Sequence, residues 1–197
     1  IVVIDPRRTA TCEGADLHLP LRSGSDSVLF NGLLAHLASR NAIDRAFVDG
    51  STTGAEAALQ QVAGQTVAQT TDICGLAEGA VALFFDWFAK TERVVTLYSQ
   101  GINQSSSGVD KVNAIINCHL ATGRIGKPGM GPFSVTGQPN AMGGREVGGL
   151  ANTLAAHLEI TEPAHRRIVQ SFWGSPAIAS SSCGRSGAAS VAIVSRA

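Results

Sequence analysis

An α/β fold, with a mostly parallel sheet and flanking helices, is the class this sequence predicts, and three observations predict it. The runs Ile1–Ile4 and Val94–Tyr98 are short, apolar and β-branched, as buried parallel strands are. Between and after them lie stretches whose apolar residues recur at helical spacing. Each run also ends in a breaker, Asp5-Pro6 after the first and Gly101 after the second. Strand, turn and helix in that order place ligand-binding turns at the carboxyl ends of strands.

The elements follow in chain order. Ile1–Ile4 stops at Pro6, which cannot donate to a ladder. Leu17, Leu19 and Leu21 alternate as a second short strand. Ser25 or Asp26 offers an N-cap to a helix carrying Val28, Leu29, Leu33, Leu34 and Leu37 on one face. The alanine-rich stretch Ser51 to Gln61 reads as a helix. So does Ala77 to Lys90, with Val81, Phe84, Phe85 and Phe88 on its apolar side. Val94–Tyr98 is expected in the same sheet as Ile1–Ile4. The polar turn GINQSSSG then leads into a helix from Val109 to Leu120. Further helices are expected at Leu150 to Leu158 and Pro163 to Phe172.

Composition narrows the function. The 197 residues are 44% hydrophobic and only 15% charged, the balance of a core-forming chain. Fifteen basic and fifteen acidic residues cancel, so no basic face is available for nonspecific nucleic-acid binding. No apolar run approaches the roughly 18–20 residues that span a bilayer, so membrane insertion is not expected. Cys12, Cys74, Cys118 and Cys183 are scattered, without CxxC spacing, and read as reduced residues in or near the core. The five histidines, at 18, 36, 119, 157 and 165, form no HExxH or comparable pair and are expected in structural roles.

The run from Thr122 to Gly149 stands apart, with nine glycines and three prolines between Gly123 and Gly149. Such density suits neither a helix nor a central strand, and long loops in compact domains usually serve function. Glycine admits backbone N–H groups close to a ligand, while Gln138, Asn140 and Arg145 add fixed donors. That chemistry suits an anionic, hydrogen-bonding ligand. Asp5 follows the first strand, where a carboxylate can accept from a ribose hydroxyl. Arg7 and Arg8 offer charge for phosphate, and Ser23-Gly24-Ser25-Asp26 opens a helix with free N–H groups. Gly101, Asn103 and Gln104 occupy the other strand-to-helix turn, and each amide presents a donor and an acceptor to a pterin or purine edge. GxGxxG after a strand, GxxxxGK[ST] and GxSxG are all missing, so neither a dinucleotide fingerprint, a P-loop nor a nucleophile elbow is supported. Residue chemistry alone thus reaches an α/β domain for a nucleotide-like anion, and stops short of a reaction.

Several blocks carry that reading further. VVIDPRRT, DLHLPLRSGSD and the stretch GINQSSSGVDKVNAIINCHLATGRIGKPGMGPFSVTGQPNAMGGREVGGLAN resemble the catalytic subunit of bacterial nitrate reductases, of the assimilatory molybdenum type. The resemblance runs from residue 1 to about residue 180, and the block from Gly101 to Asn152 is its most specific part. It implies an internal fragment of a cytoplasmic enzyme that reduces nitrate to nitrite by oxygen-atom transfer. The implied cofactors are a molybdenum bis(molybdopterin guanine dinucleotide) and one [4Fe-4S] cluster. Their cysteine ligands are expected upstream of this segment, so no metal ligand is expected within it. The implied donor is ferredoxin, flavodoxin or an NADH-linked reductase.

By the same resemblance Asp5, Pro6, Arg7, Gly24, Ser25 and Asp26 contact a pterin guanine dinucleotide, as do Gln100, Gly101, Asn103 and Gln104. Arg145, inside GREVGG, matches an arginine near the molybdenum and is the residue expected to orient substrate. A planar, always-charged guanidinium suits nitrate. Gln138, Asn140 and Met142 share that loop as weaker choices.

Three segments are therefore expected. Residues 1–132 form part of an α/β domain for the pterin dinucleotide. Residues 133–180 hold the glycine-rich active-site loop and the start of a neighbouring domain. Residues 181–197 are an aberrant tail, because SSSCGRSGAASVAIVSRA departs from the family pattern as a frameshifted end would. Two other readings stay open, a formate dehydrogenase-like oxidoreductase and a structural relative that has lost the cofactor. GQPNAMGGREVGG favours the nitrate enzymes over the first, and retention of both cofactor turns with Arg145 opposes the second.

Overall fold

Residues 1–137, 139–148 and 153–178, together with the backbone of Val194–Ser195, are described by a computed structural model. The chain divides into two compact units, Ile1–Val135 with Ala189–Ala197, and Thr136–Ala188.

The first unit is α/β, with parallel strand pairs flanked by helices. Strand β1 (Val2–Ile4) pairs in parallel with β2 (Leu17–Leu19), Val2 opposite Leu17 and Ile4 opposite Leu19. From β2 the chain enters a long helical excursion. It runs through α1 (Asp26–Ser39), α2 (Arg45–Ser51), the two-residue strand β3 (Thr52–Thr53), α3 (Ala55–Val62), α4 (Val67–Cys74) and α5 (Glu78–Lys90). Strand β4 (Val95–Tyr98) follows, then α6 (Gln100–Asn103), α7 (Gly108–Ala121) and β5 (Gly131–Ser134). β4 and β5 are parallel, Val95 opposite Gly131 and Tyr98 opposite Ser134. β3 pairs antiparallel with β6 (Val194–Ser195).

The core forms where the helical faces meet. Leu29, Leu33, Leu34 and Leu37 of α1 are buried with Phe85 and Val81 of α5 and Ile115 and Cys118 of α7. Gly32 lets α1 approach α4 so closely that an added Cβ would collide with the Thr70 side chain. Arg124 closes the far end of α5. Its guanidinium lies 4.9 Å from the Phe88 ring centre and donates to the Thr91 and Glu92 carbonyls at 2.5 and 3.2 Å. Those carbonyls lie at and just beyond the C-cap of α5, where a cation is favoured.

Several expectations need correction. Among the described residues Ile1–Ile4 and Val94–Tyr98 do not share a sheet, because β1 bonds to β2 and β4 to β5 in separate two-stranded pairs. The glycine-rich run is not one open loop, for it supplies β5 and, in the second unit, α8 (Ala141–Glu146). Pro132 is tolerated in β5 since that strand pairs, among the described residues, on one side only. Among the described residues of the expected span from Leu150 to Leu158, no α-helix forms. Residues 149–152 lie outside those described, Thr153 bridges Glu159, and a short 3-10 turn at Ala155–His157 carries Ala156 and His157 at positive φ. α2 and α4 were not anticipated, although Thr66 and Gln69 spell a capping box that the structure forms in both directions. Helix α9 (Pro163–Trp173) starts with Pro163 at its first position and ends at Gly174. The expected tail at 181–197 lies outside the described residues, apart from the backbone of Val194–Ser195.

Candidate ligand-binding cleft

The turns after β1 and β4 open into one cleft of about 1350 Å³ within the first unit. Asp5, Pro6 and Arg7 line it after β1, Ser23 and Gly24 before α1, and Ser99, Gly101 and Ile102 after β4. Asp26 of α1 and Lys111 of α7 also reach it. Below these polar residues the walls are the two strands themselves, with Phe30, Phe84, Phe88 and Ile115. The lining thus combines polar residues after the strands, apolar residues of the strands and helices, and Asp16, Thr91 and Arg93 from the segments before β2 and β4.

Each polar residue is held locally. The Asp5 carboxylate accepts from its own turn, Arg7 N at 2.7 Å, and the Asp5 carbonyl contacts His18 Nε2 at 2.9 Å. Gly24 sits at φ +91°, a conformation glycine adopts without strain, and open space surrounds the place a Cβ would take. Ser25 is buried and its hydroxyl donates to the Arg22 carbonyl at 2.6 Å, so it braces the turn. The chemically distinctive pair is Asp26 with Lys111, whose Nζ lies 2.7 Å from Asp26 Oδ2. Only 4% of the lysine side chain and 14% of the aspartate are exposed. Lys111 stands in the first turn of α7, where the helix dipole disfavours a cation. Asp26, at the start of α1, supplies the compensating charge.

The cleft gathers only some of the expected residues. Asp5, Pro6, Arg7, Gly24, Asp26 and Gly101 line it. Ser25 is buried and is not part of the lining. Gln100, Asn103 and Gln104 are solvent-exposed and stand outside the lining, so Gln104 does not join Asp5 and Asp26 as expected. The turn instead folds into α6, where the Gln104 N–H is used to close the helix on the Gln100 carbonyl at 3.0 Å. Lys111, Ser23 and Ser99 were missed. For Lys111 the signal was slight, a lysine beside Asp110 and between apolar Val109 and Val112 at the start of a helix, within GVDKVNAII.

The second unit is described by itself. Gln138 and the Arg145 side chain lie outside the described residues, while the Arg145 backbone belongs to α8. Asn140 Oδ1 accepts from Gly143 N at 3.1 Å, capping that helix, and Met142 is exposed. Glu146, which neighbours Arg145, pairs with His157 at 2.8 Å.

The remaining described histidines and cysteines sit in structural settings, and Cys183 lies outside the described residues. His119 is fully buried and its Nε2 lies 2.8 Å from Thr96 Oγ1, tying α7 to β4. Burial, and then the nearby Arg124, pushes its imidazole down to about 4. His36 faces Asp86 at 3.5 Å, and His165 Nδ1 accepts from Glu159 N at 3.1 Å. Cys12, Cys74 and Cys118 are buried free thiols, and burial raises the pKa of Cys74 and Cys118.

Known proteins match this chain along most of its length. The family described as molybdopterin oxidoreductase matches residues 1–181. A nitrate reductase of Klebsiella oxytoca is 53% identical over 179 residues, covering 91% of this chain and 20% of that protein. One of Shewanella frigidimarina is 46% identical, covering 91% of this chain and 19% of the relative. Among solved structures, acetylene hydratase from Pelobacter acetylenicus superposes with a TM-score of 0.61 at 24% identity, over 65% of this chain and 18% of that one. At that identity the superposition speaks to fold alone. The chain spans about a fifth of the length of these relatives.

Proposed function

This chain belongs to the molybdopterin oxidoreductase family, and we propose that it is a segment of the catalytic subunit of an assimilatory nitrate reductase. The observation that carries the proposal is the 53% identity to a nitrate reductase across nine-tenths of the chain. The whole protein would reduce nitrate to nitrite in the cytoplasm. Nitrate loses one oxygen atom, two electrons and two protons are taken up, and the oxygen leaves as water. Molybdenum held by two pterin guanine dinucleotides would supply the oxygen-accepting centre. A [4Fe-4S] cluster, its ligands outside this chain, would pass electrons from ferredoxin, flavodoxin or an NADH-linked reductase.

The donor set of the cleft suits the nucleotide part of such a cofactor. Asp5 and Asp26 offer carboxylates to ribose hydroxyls and to the N–H edge of guanine, which donates and needs acceptors. Ser23, Ser99 and the Gly101 backbone add neutral groups, and Lys111 balances one carboxylate. Gly24 leaves open space beside the backbone. In this reading the residues bind and orient the cofactor, and none of them moves a proton in the reaction.

Arg145 is the residue we assign to nitrate, with Gln138, Asn140 and Met142 as supporting positions on the same segment. A coplanar guanidinium forms two charge-assisted hydrogen bonds to a planar anion, each worth about 1.5–3 kcal/mol. In the full-length enzyme, Arg145→Lys keeps the charge and loses the fork. Nitrate reduction with an artificial one-electron donor is expected to weaken, with molybdenum content unchanged. Parental kinetics in that variant would refute the substrate role, and lost molybdenum would point to bracing of the loop. Formate oxidation by the parent enzyme, in place of nitrate reduction, would instead support the formate dehydrogenase reading.

A further inference from the structure

We infer that Lys111 is a positioning residue that fixes the Asp26 carboxylate to select guanine in the nucleotide it receives, an inference that rests on the cofactor reading above. The pair stands where core residues belong. Lys111 shares the buried stripe of α7 with Ala114, Ile115 and Cys118, at helical spacing. Asp26 begins the corresponding stripe of α1, which continues through Leu29, Phe30 and Leu33. The two helices pack on each other, so the charges meet at the start of both. Apolar side chains of similar volume are often as stable in such a place as a buried ion pair, or more so. Stability alone therefore does not account for the pair. Its location does, because both residues line the cleft.

The geometry leaves the aspartate able to bind. Lys111 Nζ holds Oδ2 at 2.7 Å, and a carboxylate has about four acceptor sites. Asp26 stays 14% exposed, against 4% for the lysine, so the carboxylate is the more open member of the pair.

Two acceptors side by side match few nucleobase edges. Guanine presents N1–H beside its 2-amino group, two donors for two oxygens. Hypoxanthine keeps N1–H alone. Adenine and cytosine set a ring nitrogen acceptor beside the amino group, and that acceptor faces the carboxylate. The double match needs the carboxylate plane fixed, and the bond to Nζ fixes it. Without Nζ the side chain turns among its rotamers, and a two-donor match suffers more than a one-donor match.

The test uses full-length protein made in a host without the pterin, titrated calorimetrically with the 5′-monophosphates of guanosine, inosine, adenosine and cytidine. The parent is expected to prefer guanosine over inosine monophosphate by about 10- to 150-fold, the worth of one charge-assisted hydrogen bond, with the other two weaker still. Lys111→Met is expected to narrow that ratio to about threefold or less, as one such bond is lost. Leu33→Ala loosens α1 at a buried residue outside the lining and is expected to keep the parental ratio. A parental ratio in Lys111→Met, even with both affinities lowered, would overturn the inference, as would a parent that does not discriminate. If Lys111→Met shows no cooperative melt, electron cryomicroscopy of the cofactor-loaded parent decides. Guanine N1 and N2 are expected within about 3.2 Å of the Asp26 carboxylate with Nζ still on Oδ2. A base bound elsewhere, or Lys111 turned onto a phosphate, would overturn it. A parent whose cofactor releases no guanosine monophosphate in acid refutes the cofactor reading itself. Release with selectivity independent of Lys111 refutes this inference alone.

Discussion

Removing the negative member of the Asp26–Lys111 pair tests the cleft at its most heavily invested contact. Asp26→Asn keeps the shape of the side chain and strips the charge that offsets Lys111 Nζ, 2.7 Å away. With 4% of the lysine exposed, water cannot take over that role. Breaking a buried pair typically costs about 3–5 kcal/mol, and the 14% exposure of Asp26 argues for the lower end, about 3 kcal/mol. At about 1.4 kcal/mol per power of ten, this is roughly a 150-fold change in a local opening equilibrium. Native-state hydrogen exchange of α1 and α7 in the full-length protein reads it directly, because these helices pack on each other and the Cys118 thiol donates to the Phe30 carbonyl. The double variant Asp26→Asn/Lys111→Met removes both charges and is expected to return most of the protection, since a buried pair is often no better than an apolar replacement. Exchange within about threefold of the parent for Asp26→Asn, or a double variant no better than the single, would refute the account. Molybdenum content separates structure from binding. If Asp26 also holds the cofactor, the double variant regains stability without regaining molybdenum, whereas full occupancy would limit Asp26 to pairing with Lys111.

Two further outcomes follow from the core. His119 has its folded-state pKa pushed down to about 4, while the unfolded chain titrates near 6.5. Between these values the unfolded state binds the extra proton, so the stabilisation is complete above about pH 6.5 and is lost as pH falls toward 4, about 3 kcal/mol in all. Denaturation midpoints measured across that range should fall for the parent and fall less for His119→Gln, and parallel pH profiles would contradict the burial of a neutral imidazole. Gly32→Ala should push α4 off α1 where the new Cβ meets Thr70, at a cost of about 1–3 kcal/mol, and an unchanged melting temperature would show that the helices yield freely.

What the sequence determined by itself was local in character. Apolar residues at helical spacing located α1, α5, α7 and α9, and β-branched runs located β1 and β4, because both periodicities are properties of a short stretch of chain. The turns at Asp5, Gly24 and Gly101 were legible for the same reason, and the long blocks around them pointed to the family that the whole-chain comparison shows. α4 was legible too, through Thr66 and Gln69, but its apolar face is short and was passed over. Tertiary structure decided the rest. It made a strand of Gly131–Ser134, a segment whose own propensity is poor, because β4 offered a ladder and an edge position spares the missing N–H of Pro132. It sent Gln104 outward while bringing Lys111 inward to Asp26, although the two residues lie seven positions apart on neighbouring helices. Among the described residues it also gave β1 and β4 different strand partners along one cleft, instead of pairing them with each other. Strand neighbours, buried charge pairs and clefts are made by residues distant along the chain, and their pairing free energy exists only once the backbone has brought them together.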